Sequence, residues 1–300
     1  MKSVKRVQSS KDNTLPAPPT VDRLSALLDR FRVHASLFHT GALCGTTVFQ
    51  PQPGRAFLHV LRRGEMEVRH RAGETQMTRF RITEPTVLLY PRPLRHTFVN
   101  APREGSDLTC ATLDFSGGEH HPIVQALPSM LRVPVSSVDG LMPALDLLFA
   151  EADRVRCGSR LLADRLFEVV LIQLLRWILD HPEQAGVSSG LIMGLSHPRL
   201  ARALVAVHQS PSDDWSLAKM ASVAGMSRSA FADTFKAVTG TTPAAYLTDW
   251  RMSLAASMMR SGQQIKTIAA ELGFASGSSL AKAFKQRFHA SPREWLASAG

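Results

Sequence analysis

The stretch from Trp215 to Leu296 contains one pattern of apolar residues, a turn glycine and a proline twice. Residues of the first copy recur 48 positions later up to the glycine and 49 positions later beyond it. The matched pairs include Leu217 with Ile265, Gly225 with Gly273, Phe235 with Phe284, and Pro243 with Pro292. A repeat that keeps these residue classes in register indicates two copies of one folded unit.

Each copy has apolar residues at helical spacing, then a turn that contains glycine, then a second helix with an apolar inner face. That inner face carries Phe231 and Phe235 in the first copy and Leu280 and Phe284 in the second. The pattern is typical of a helix-turn-helix, in which the first helix packs and the second presents its outer face to a DNA groove. A helical array that packs only on itself is the alternative, but such arrays need on the order of three repeats.

A helix is predicted between the two copies. Thr242 and Pro243 provide an N-cap and a proline at the first helical position, and Gly262 provides a stop. A helix of this length spans roughly 25 Å, which suits two reading helices placed in major grooves about 34 Å apart. Ser291 and Glu294 predict a capping box at the start of a final helix.

The runs MASVAGMSRSAFADTFKAVTGTTPAAYL and IAAELGFASGSSLAKAFKQRFHASPREWL resemble the AraC/XylS family of bacterial transcription regulators. The resemblance implies DNA contacts on the outward face of each second helix. The implied contact residues are Arg228, Ser229, Ala232, Asp233 and Lys236 in the first unit, and Gly277, Ser278, Ala281, Lys282 and Lys285 in the second. Because several of these are small, we expect sparse base contacts, with readout through Arg228, Lys282, DNA shape and thymine methyl groups. Lys236 and Lys285 are interpreted as phosphate contacts, and a solvated face is the alternative for each residue.

The charge balance agrees with a polyanionic partner. The 300 residues include 35 Lys and Arg against 25 Asp and Glu, a net charge of +10. DNA and an acidic membrane both satisfy this balance, but no uncharged apolar run reaches the ~18 residues of a membrane helix. Cys44, Cys110 and Cys157 have long, uneven spacings that predict no disulfide framework and favour the reducing cytoplasm. The basic segment 1–20 has no hydrophobic run behind it, so we expect a flexible tail rather than a secretion signal.

The chain before the repeat changes character twice. From about Val33 to Pro134, short β-rich runs such as AFLHVLRRG and TVLLYP predict a barrel or sandwich of antiparallel strands. From Val138 the pattern is helical, and a long helix with apolar residues on more than one face must bury two sides. We therefore predict an α+β protein with a barrel at 21–136, a helical segment at 137–182, a linker at 183–196 and an all-helical DNA-binding domain at 197–300.

The strand-rich half resembles the cupin-type barrel found in many AraC-family proteins. The match includes the spacing of His96 and Asn100, but Phe57 stands where the first cupin motif has a partner for His59. The metal centre of catalytic cupins therefore cannot be assembled, so we predict no enzyme, and a cupin metalloenzyme is the less favoured alternative. The resemblance also implies that the helical segment pairs subunits into a homodimer, with packing inside one chain as the alternative. A member that activates would also contact RNA polymerase.

The runs ALCG, FLHVLRRG, LLYPRPLRHTF and LTCATL resemble the barrels of AraC-family regulators that respond to reactive chlorine species. That resemblance implies redox-active cysteines at Cys44 and Cys110 and metal-associated histidines at His59 and His96. Such a sulfur and nitrogen set suits copper(I) or zinc. Taken singly, a cysteine in a strand is more often a small buried hydrophobe. We therefore predict oxidant or metal sensing in the barrel, with an organic effector as the alternative and the four residues then serving as lining or core.

Overall fold

The structure is a computed structural model that describes residues 21–72 and 76–298. The tail predicted for residues 1–20 lies outside these described residues. Within them, strands dominate up to Pro134 and helices account for the elements from Leu141 onward. The predicted α+β class, with antiparallel strands before an all-helical domain, is confirmed.

The strands form the barrel as a cupin-like sandwich of two antiparallel sheets that face each other. In the described residues the strands are β1 (Val33–Leu43), β2 (Thr46–Phe49), β3 (Arg55–Arg63), β4 (Met66–Ala72), β5 (Gln76–Ile82), β6 (Thr86–Tyr90), β7 (His96–Asn100), β8 (Ser106–Phe115) and β9 (Leu131–Pro134). One sheet has the order β1-β8-β3-β6-β9 and the other β2-β7-β4-β5. The sequence pattern does not single out β1, because polar and small residues such as His39 and Gly41 interrupt its apolar pattern.

Strand β3 is buried on both of its faces. Phe57 and Leu61 belong to the core between the two sheets, whereas Leu58 and Val60 belong to a larger core under the helices. Because successive side chains of a strand point to opposite faces, this division gives the first sheet an inner and an outer buried face. His59, between Leu58 and Val60, therefore points into the interior between the sheets.

Twelve α-helices lie in the described residues. They are α1 (Ser25–Leu28), α2 (Pro122–Ala126), α3 (Leu141–Asp153), α4 (Ser159–Asp180), α5 (Leu191–Ser196), α6 (Leu200–Gln209), α7 (Leu217–Ala224), α8 (Arg228–Thr239), α9 (Pro243–Arg260), α10 (Ile265–Glu271), α11 (Gly277–Phe288) and α12 (Pro292–Ser298). Helices α3 and α4 pack together, and α4 also packs along β1. None of the helices in the described stretches is both long and apolar enough to cross a bilayer.

The segment 183–196, predicted as a linker, is partly helical and packed. It contains α5, whose Leu191, Ile192 and Leu195 are buried. The backbone N–H of Gly190 also donates to the carbonyl oxygen of Val238 at the end of α8. Apolar side chains at these positions gain free energy by leaving water, so the connection lies against the domain that follows it.

The duplicated stretch folds as two helix-turn-helix units, α7–α8 and α10–α11, joined by α9. Gly225 and Gly273, the matched turn glycines, have φ values of 65° and 74°, a region that disfavours side chains. A Cβ at Gly273 would also clash with the carbonyl oxygen of Ser212. Thr242 caps α9 as predicted, because its hydroxyl accepts from the N–H of Ala245.

The barrel and the helix-turn-helix units are packed against each other. Phe31, just before β1, meets Trp250 of α9 edge to face, with ring centroids 5.3 Å apart. His120, just before α2, contacts Phe288 of α11 and Trp295 of α12, with ring centroids at 5.4 and 5.7 Å. The linking helix and the second reading unit are thus both held by residues at the base of the barrel.

Candidate DNA-binding surface and sensor interior

The residues implied as DNA contacts lie on α8 and α11, the second helix of each unit. The opposite faces of these helices are buried through Phe231, Phe235, Leu280 and Phe284. Arg228, Ser229, Asp233, Lys236, Ser278, Lys282 and Lys285 are exposed, and Ala232, Gly277 and Ala281 are half-buried. Because the phenylalanine-bearing face packs inward, the face implied to read DNA lies open to solvent in both units.

The two outward faces differ in charge. Helix α8 carries the cations Arg228 and Lys236 but also the carboxylate Asp233, whereas α11 carries Lys282 and Lys285. Among the described residues, no ion pair within 4 Å involves any of these five side chains. The second unit therefore presents the more positive face, and we expect it to neutralise more DNA phosphate charge than the first.

Two of the four residues implied as a sensor meet in the interior between the sheets. His59 on β3 and His96 on β7 are fully buried, and their Nε2 atoms are 2.9 Å apart. Phe57 stacks on His59 and Phe49 stacks on His96, with interplanar angles of 8° and 12°. Tyr90 stacks on the same His96 ring, with centroids 3.9 Å apart. The imidazole pair is thus enclosed by aromatic rings.

The hydrogen bonds fix which nitrogens carry protons. The Nδ1 of His96 lies 2.8 Å from the carbonyl oxygen of Leu94, so this nitrogen donates. The Nε2 of neutral His96 is then an acceptor, and the N–H at Nε2 of His59 donates to it. The remaining nitrogen, Nδ1 of His59, is buried and has no hydrogen-bond partner among the described residues. It presents a lone pair to the interior.

Both imidazoles are neutral near pH 7. Burial lowers the pKa of His59 well below its ordinary value, and the nearby His96 and His39 lower it further. Burial also lowers the pKa of His96 to about 4, although its hydrogen bond to Leu94 acts in the opposite direction. A neutral pair with one open lone pair can accept a hydrogen bond, but it cannot serve as a fixed positive charge.

Other polar groups of the interior are not apparent from sequence motifs. His39 on β1 and His59 on β3 both lie opposite Cys110 on β8, which places the three residues in one row across the sheet. His70 and Tyr90 face each other edge to face, and neither the Nδ1 of His70 nor the hydroxyl of Tyr90 has a partner among the described residues. His39 could be found only from the register of β1, and His70 only from the alternation of β4.

The structure does not bring Cys44 to the other three implied sensor residues. Cys44 follows β1, is exposed, and lies beside Gly105 at the start of β8, where its thiol contacts the carbonyl oxygen of Arg103. Cys110 is buried five residues further along β8, a separation of about 17 Å at the rise of an antiparallel strand. A disulfide needs Cα atoms within about 7 Å, so this conformation cannot form a disulfide between Cys44 and Cys110.

The four residues also do not fit the implied copper(I) or zinc centre. Zinc ligands lie about 2.0 to 2.3 Å from one shared point, which requires all donor atoms to be within a few ångströms of one another. Cys44 is too distant, and the two histidines use their Nε2 atoms to bond each other. Burial raises the pKa of the Cys110 thiol, so the thiol is protonated in the metal-free protein. Among the described residues, no three His, Cys, Asp or Glu side chains are grouped to hold a metal ion.

Comparison with known proteins assigns both halves of the chain. The sequence profile of the cupin family matches residues 22–180. The profile of a helix-turn-helix domain matches residues 220–298. The chain belongs to the AraC family of helix-turn-helix regulators with an N-terminal cupin domain. The family prediction is confirmed, and so is the prediction that the chain is not an enzyme, because the family consists of transcriptional regulators.

Two relatives show how far the likeness extends. A putative AraC-like transcription regulator from Streptomyces antibioticus is 34% identical over 197 residues, which is 64% of this chain and 64% of that protein. The matched stretch is therefore less than two thirds of the length of that relative. The RCS-specific HTH-type transcriptional activator RclR from Escherichia coli is 28% identical over 242 residues, 79% of this chain and 82% of that protein.

A solved structure shows a much weaker likeness. The crystal structure of ToxT from Vibrio cholerae aligns with 90% of this AraC-family chain and 98% of its own, at 13% identity and a TM-score of 0.38.

Proposed function

We propose that this chain is a sequence-specific transcription regulator that binds promoter DNA through α8 and α11. The observation that carries the proposal is the burial of the phenylalanine faces of both helices, which leaves the implied reading faces open to solvent. Helix α9, at 18 residues, is about 27 Å long and holds the two units at a separation that suits neighbouring major grooves. We place the protein in the cytoplasm, where bacterial promoters are accessible.

Selection of DNA from a random pool tests this function. We expect the purified chain to enrich sites with two short conserved blocks whose centres lie about one helical turn apart. Binding to the enriched site should weaken with salt, because several Lys and Arg contacts release counterions from the phosphates. Enrichment of no sequence, or an affinity that does not change with salt, would remove the proposal.

We propose that the protein is a homodimer paired through α3 and α4. Half of the exposed large hydrophobic side chains in the described residues lie between Met142 and Val169, which is more than scattered surface residues would give. They are Met142, Leu147, Val155, Leu161, Leu162 and Val169. Leu162 and Val169 are two helical turns apart on α4, so they share one face. A second copy of this surface would cover both.

The Leu162→Glu variant is expected to shift the protein to a monomer at micromolar concentration. The introduced carboxylate would have to be buried against the apolar surface of the partner, which is costly without a counter-charge. Multi-angle light scattering after size exclusion gives the mass directly. The matched control is Leu217→Glu, at an exposed leucine of α7 away from α3 and α4. If both variants remain dimeric, the proposed dimer surface is wrong.

We propose that the barrel receives the signal and that an organic effector is better supported than an oxidant. The interior between the sheets contains unpaired polar atoms on His59, His70 and Tyr90 within aromatic walls. Apolar walls with a few convergent polar groups are the lining that small-molecule sites typically have. A signal carried by a disulfide between Cys44 and Cys110 would instead require the barrel to open.

Oxidant sensing is the second candidate, because the E. coli relative is named an RCS-specific activator. Of the two cysteines implied as sensors, only Cys44 is exposed to an oxidant, and the product would be a sulfenic acid or a mixed disulfide. Because the same relative is named an activator, we propose that this protein activates transcription. RNA polymerase would then be a second protein partner.

The thiols separate these two candidates. In the native protein a disulfide reagent such as 5,5′-dithiobis(2-nitrobenzoate) is expected to react with two thiols, Cys44 and Cys157, because Cys110 is buried. Denaturant should release the third. Replacing Cys110 with Ser should leave an effector response largely intact but abolish an oxidant response that uses both Cys44 and Cys110. Rapid reaction of all three native thiols would favour the oxidant candidate.

The contacts at the base of the barrel provide a route to DNA. Phe31 lies two residues before the start of β1 and packs on Trp250 of α9, so a displacement of β1 reaches the helix that sets the spacing of the two reading units. We propose that the signal changes this packing and thereby biases two arrangements with different affinities for DNA.

A further inference from the structure

A β-bulge aims one phenylalanine away from the regular pattern of β1. Leu37 pairs with Ala111 and His39 pairs with Cys110, so Phe38 is an extra residue without a partner on β8. Bulges of this kind redirect a side chain and are frequent next to binding sites. The bulge is anchored by α4, because the N–H of Leu37 donates to Oδ1 of Asp164 at 2.7 Å. The position of Phe38 is therefore fixed by contacts outside its own strand.

The redirected ring is half exposed at the place where the two sheets part. Phe38 remains 46% exposed, and its ring meets Phe49 and Phe57 edge to face, with centroids 6.2 and 6.1 Å away. On their inner side, Phe49 stacks on His96 and Phe57 stacks on His59. These two phenylalanines therefore close the way into the interior. The three phenylalanines thus form the floor and wall of an outer site that is distinct from the imidazole pair.

A recess of about 520 Å³ lies over this aromatic floor. Its charged lining residues are Arg55, Asp114 and Arg160, and Ser36 and Thr112 also line it. Arg55 is paired with Asp114 at 3.2 Å and donates to Gln52 at 2.9 Å. In the described part of the chain, no carboxylate is within ion-pair distance of Arg160. The recess therefore has one guanidinium whose charge is not balanced by a neighbour.

We propose that this recess binds a monoanionic aromatic acid, with its ring against the three phenylalanines and its carboxylate on Arg160. Planar rings pack favourably against exposed aromatic edges and faces, and a guanidinium matches the planar carboxylate with two parallel hydrogen bonds. The carboxylate of Asp114 disfavours a dianion such as a phosphate monoester. The volume matches a ligand of one or two fused rings. This inference rests on the proposed function only in taking the barrel as the part that receives the signal.

The location gives the ligand a route to the DNA-binding half. Phe38 lies on β1 seven residues after Phe31, which packs against Trp250 of the linking helix. A ligand that holds Phe38 restrains the strand whose start contacts α9.

Calorimetric titration of the full chain with 2-naphthoate tests the proposal. We expect one site per chain, and we expect 2-naphthalenemethanol, which has the same ring without the charge, to bind at least ~10-fold more weakly. Arg160→Gln should weaken 2-naphthoate by about 10-fold, which corresponds to the 1.4 kcal/mol of one charged contact. Phe38→Ala should weaken both compounds. The matched control is Arg154→Gln, an exposed arginine outside the recess, which should leave binding unchanged.

Three results would overturn the proposal. They are no binding of 2-naphthoate at millimolar concentration, equal binding of the acid and the alcohol, and equal effects of Arg160→Gln and Arg154→Gln. DNA binding is measured separately without added compound. A chain that selects DNA but does not bind 2-naphthoate would reject this inference alone. A chain that binds 2-naphthoate but selects no DNA would reject the proposed function alone.

Discussion

The Lys282→Glu/Lys285→Glu double variant is expected to bind its selected DNA site at least ~100-fold more weakly than the parent chain. Both lysines are exposed on α11, opposite the buried Leu280 and Phe284, and neither forms an ion pair in the described structure. Reversal removes two cations and adds two anions next to phosphates. Each lost phosphate contact lowers the slope of log affinity against log salt by about 0.9, so we expect a change of about 2.

The control for net charge is Arg63→Glu/Arg71→Glu, which reverses two exposed arginines on β3 and β4. It changes the charge of the protein by the same amount but leaves both reading helices intact. Fluorescence anisotropy with labelled DNA at several salt concentrations gives affinity and slope together. Equal losses in the two double variants would mean that overall charge, not α11, governs binding, and the placement of the reading face would be wrong.

Acidification from pH 7 to pH 5 is expected to lower the free energy of unfolding by at least about 6 kcal/mol, because the buried His59 adds to the effect of three other buried histidines. Burial lowers the pKa of His96 and His121 to about 4 and of His208 to about 3, against an ordinary value of 6.5. Each of these side chains is fully buried. Because an unfolded histidine takes up a proton near pH 6.5 and these folded ones do so only near 4 or 3, acid favours the unfolded chain.

The stabilisation from these histidines is complete above pH 6.5 and is lost as the pH falls towards the folded values. A pH of 5 lies about 1.5 units below the ordinary histidine pKa, and each unit corresponds to ~1.4 kcal/mol. Each histidine therefore lowers the free energy of unfolding by about 2 kcal/mol at pH 5. The summed loss from three such histidines is a large part of the ~5 to 15 kcal/mol by which an ordinary domain is stable. Urea denaturation at pH 7, 6 and 5 measures the effect.

The His208→Gln variant separates this cause from general acid sensitivity. Its amide retains a partner for the Tyr246 hydroxyl, which lies 2.6 Å from Nε2 of His208. The loss between pH 7 and pH 5 should be smaller by about 2 kcal/mol in this variant. Equal unfolding free energies at pH 7 and pH 5 for the parent chain would show that these histidines are not held neutral by burial.

The helix-turn-helix half could be predicted closely from the sequence, since its features depend on local rules. The N-cap at Thr242 and the reciprocal bonds between Ser291 and Glu294 follow from residues within one helical turn of each other. The turn glycines Gly225 and Gly273 adopt the positive φ that their position between two helices requires. The buried faces of α8 and α11 follow from the spacing of their phenylalanines and leucine.

The sensor half was harder, because its contacts depend on the register between strands far apart in the chain. The resemblance implied four sensor residues, and the fold unites only His59 and His96 directly. Cys44 follows β1 and lies beside the start of β8, whereas Cys110 lies in the middle of β8, a difference that sequence spacing does not encode. The segment 181–190 has the composition of a linker, yet Ala185 and Val187 within it are buried. The rest of the predicted linker, 191–196, forms α5 around the buried Leu191, Ile192 and Leu195.

The sequence by itself determined that two helix-turn-helix units follow a strand-rich cupin domain, because duplicated apolar periodicity and short β-rich runs are properties of neighbouring residues. Only the tertiary structure decided that Phe31 packs on Trp250, that Phe38 is the extra residue of a bulge, and that His39 shares a row with Cys110 and His59. The physical reason is that strand register and domain packing are fixed by the sum of many weak contacts between distant segments. No local pattern of side chains specifies that sum.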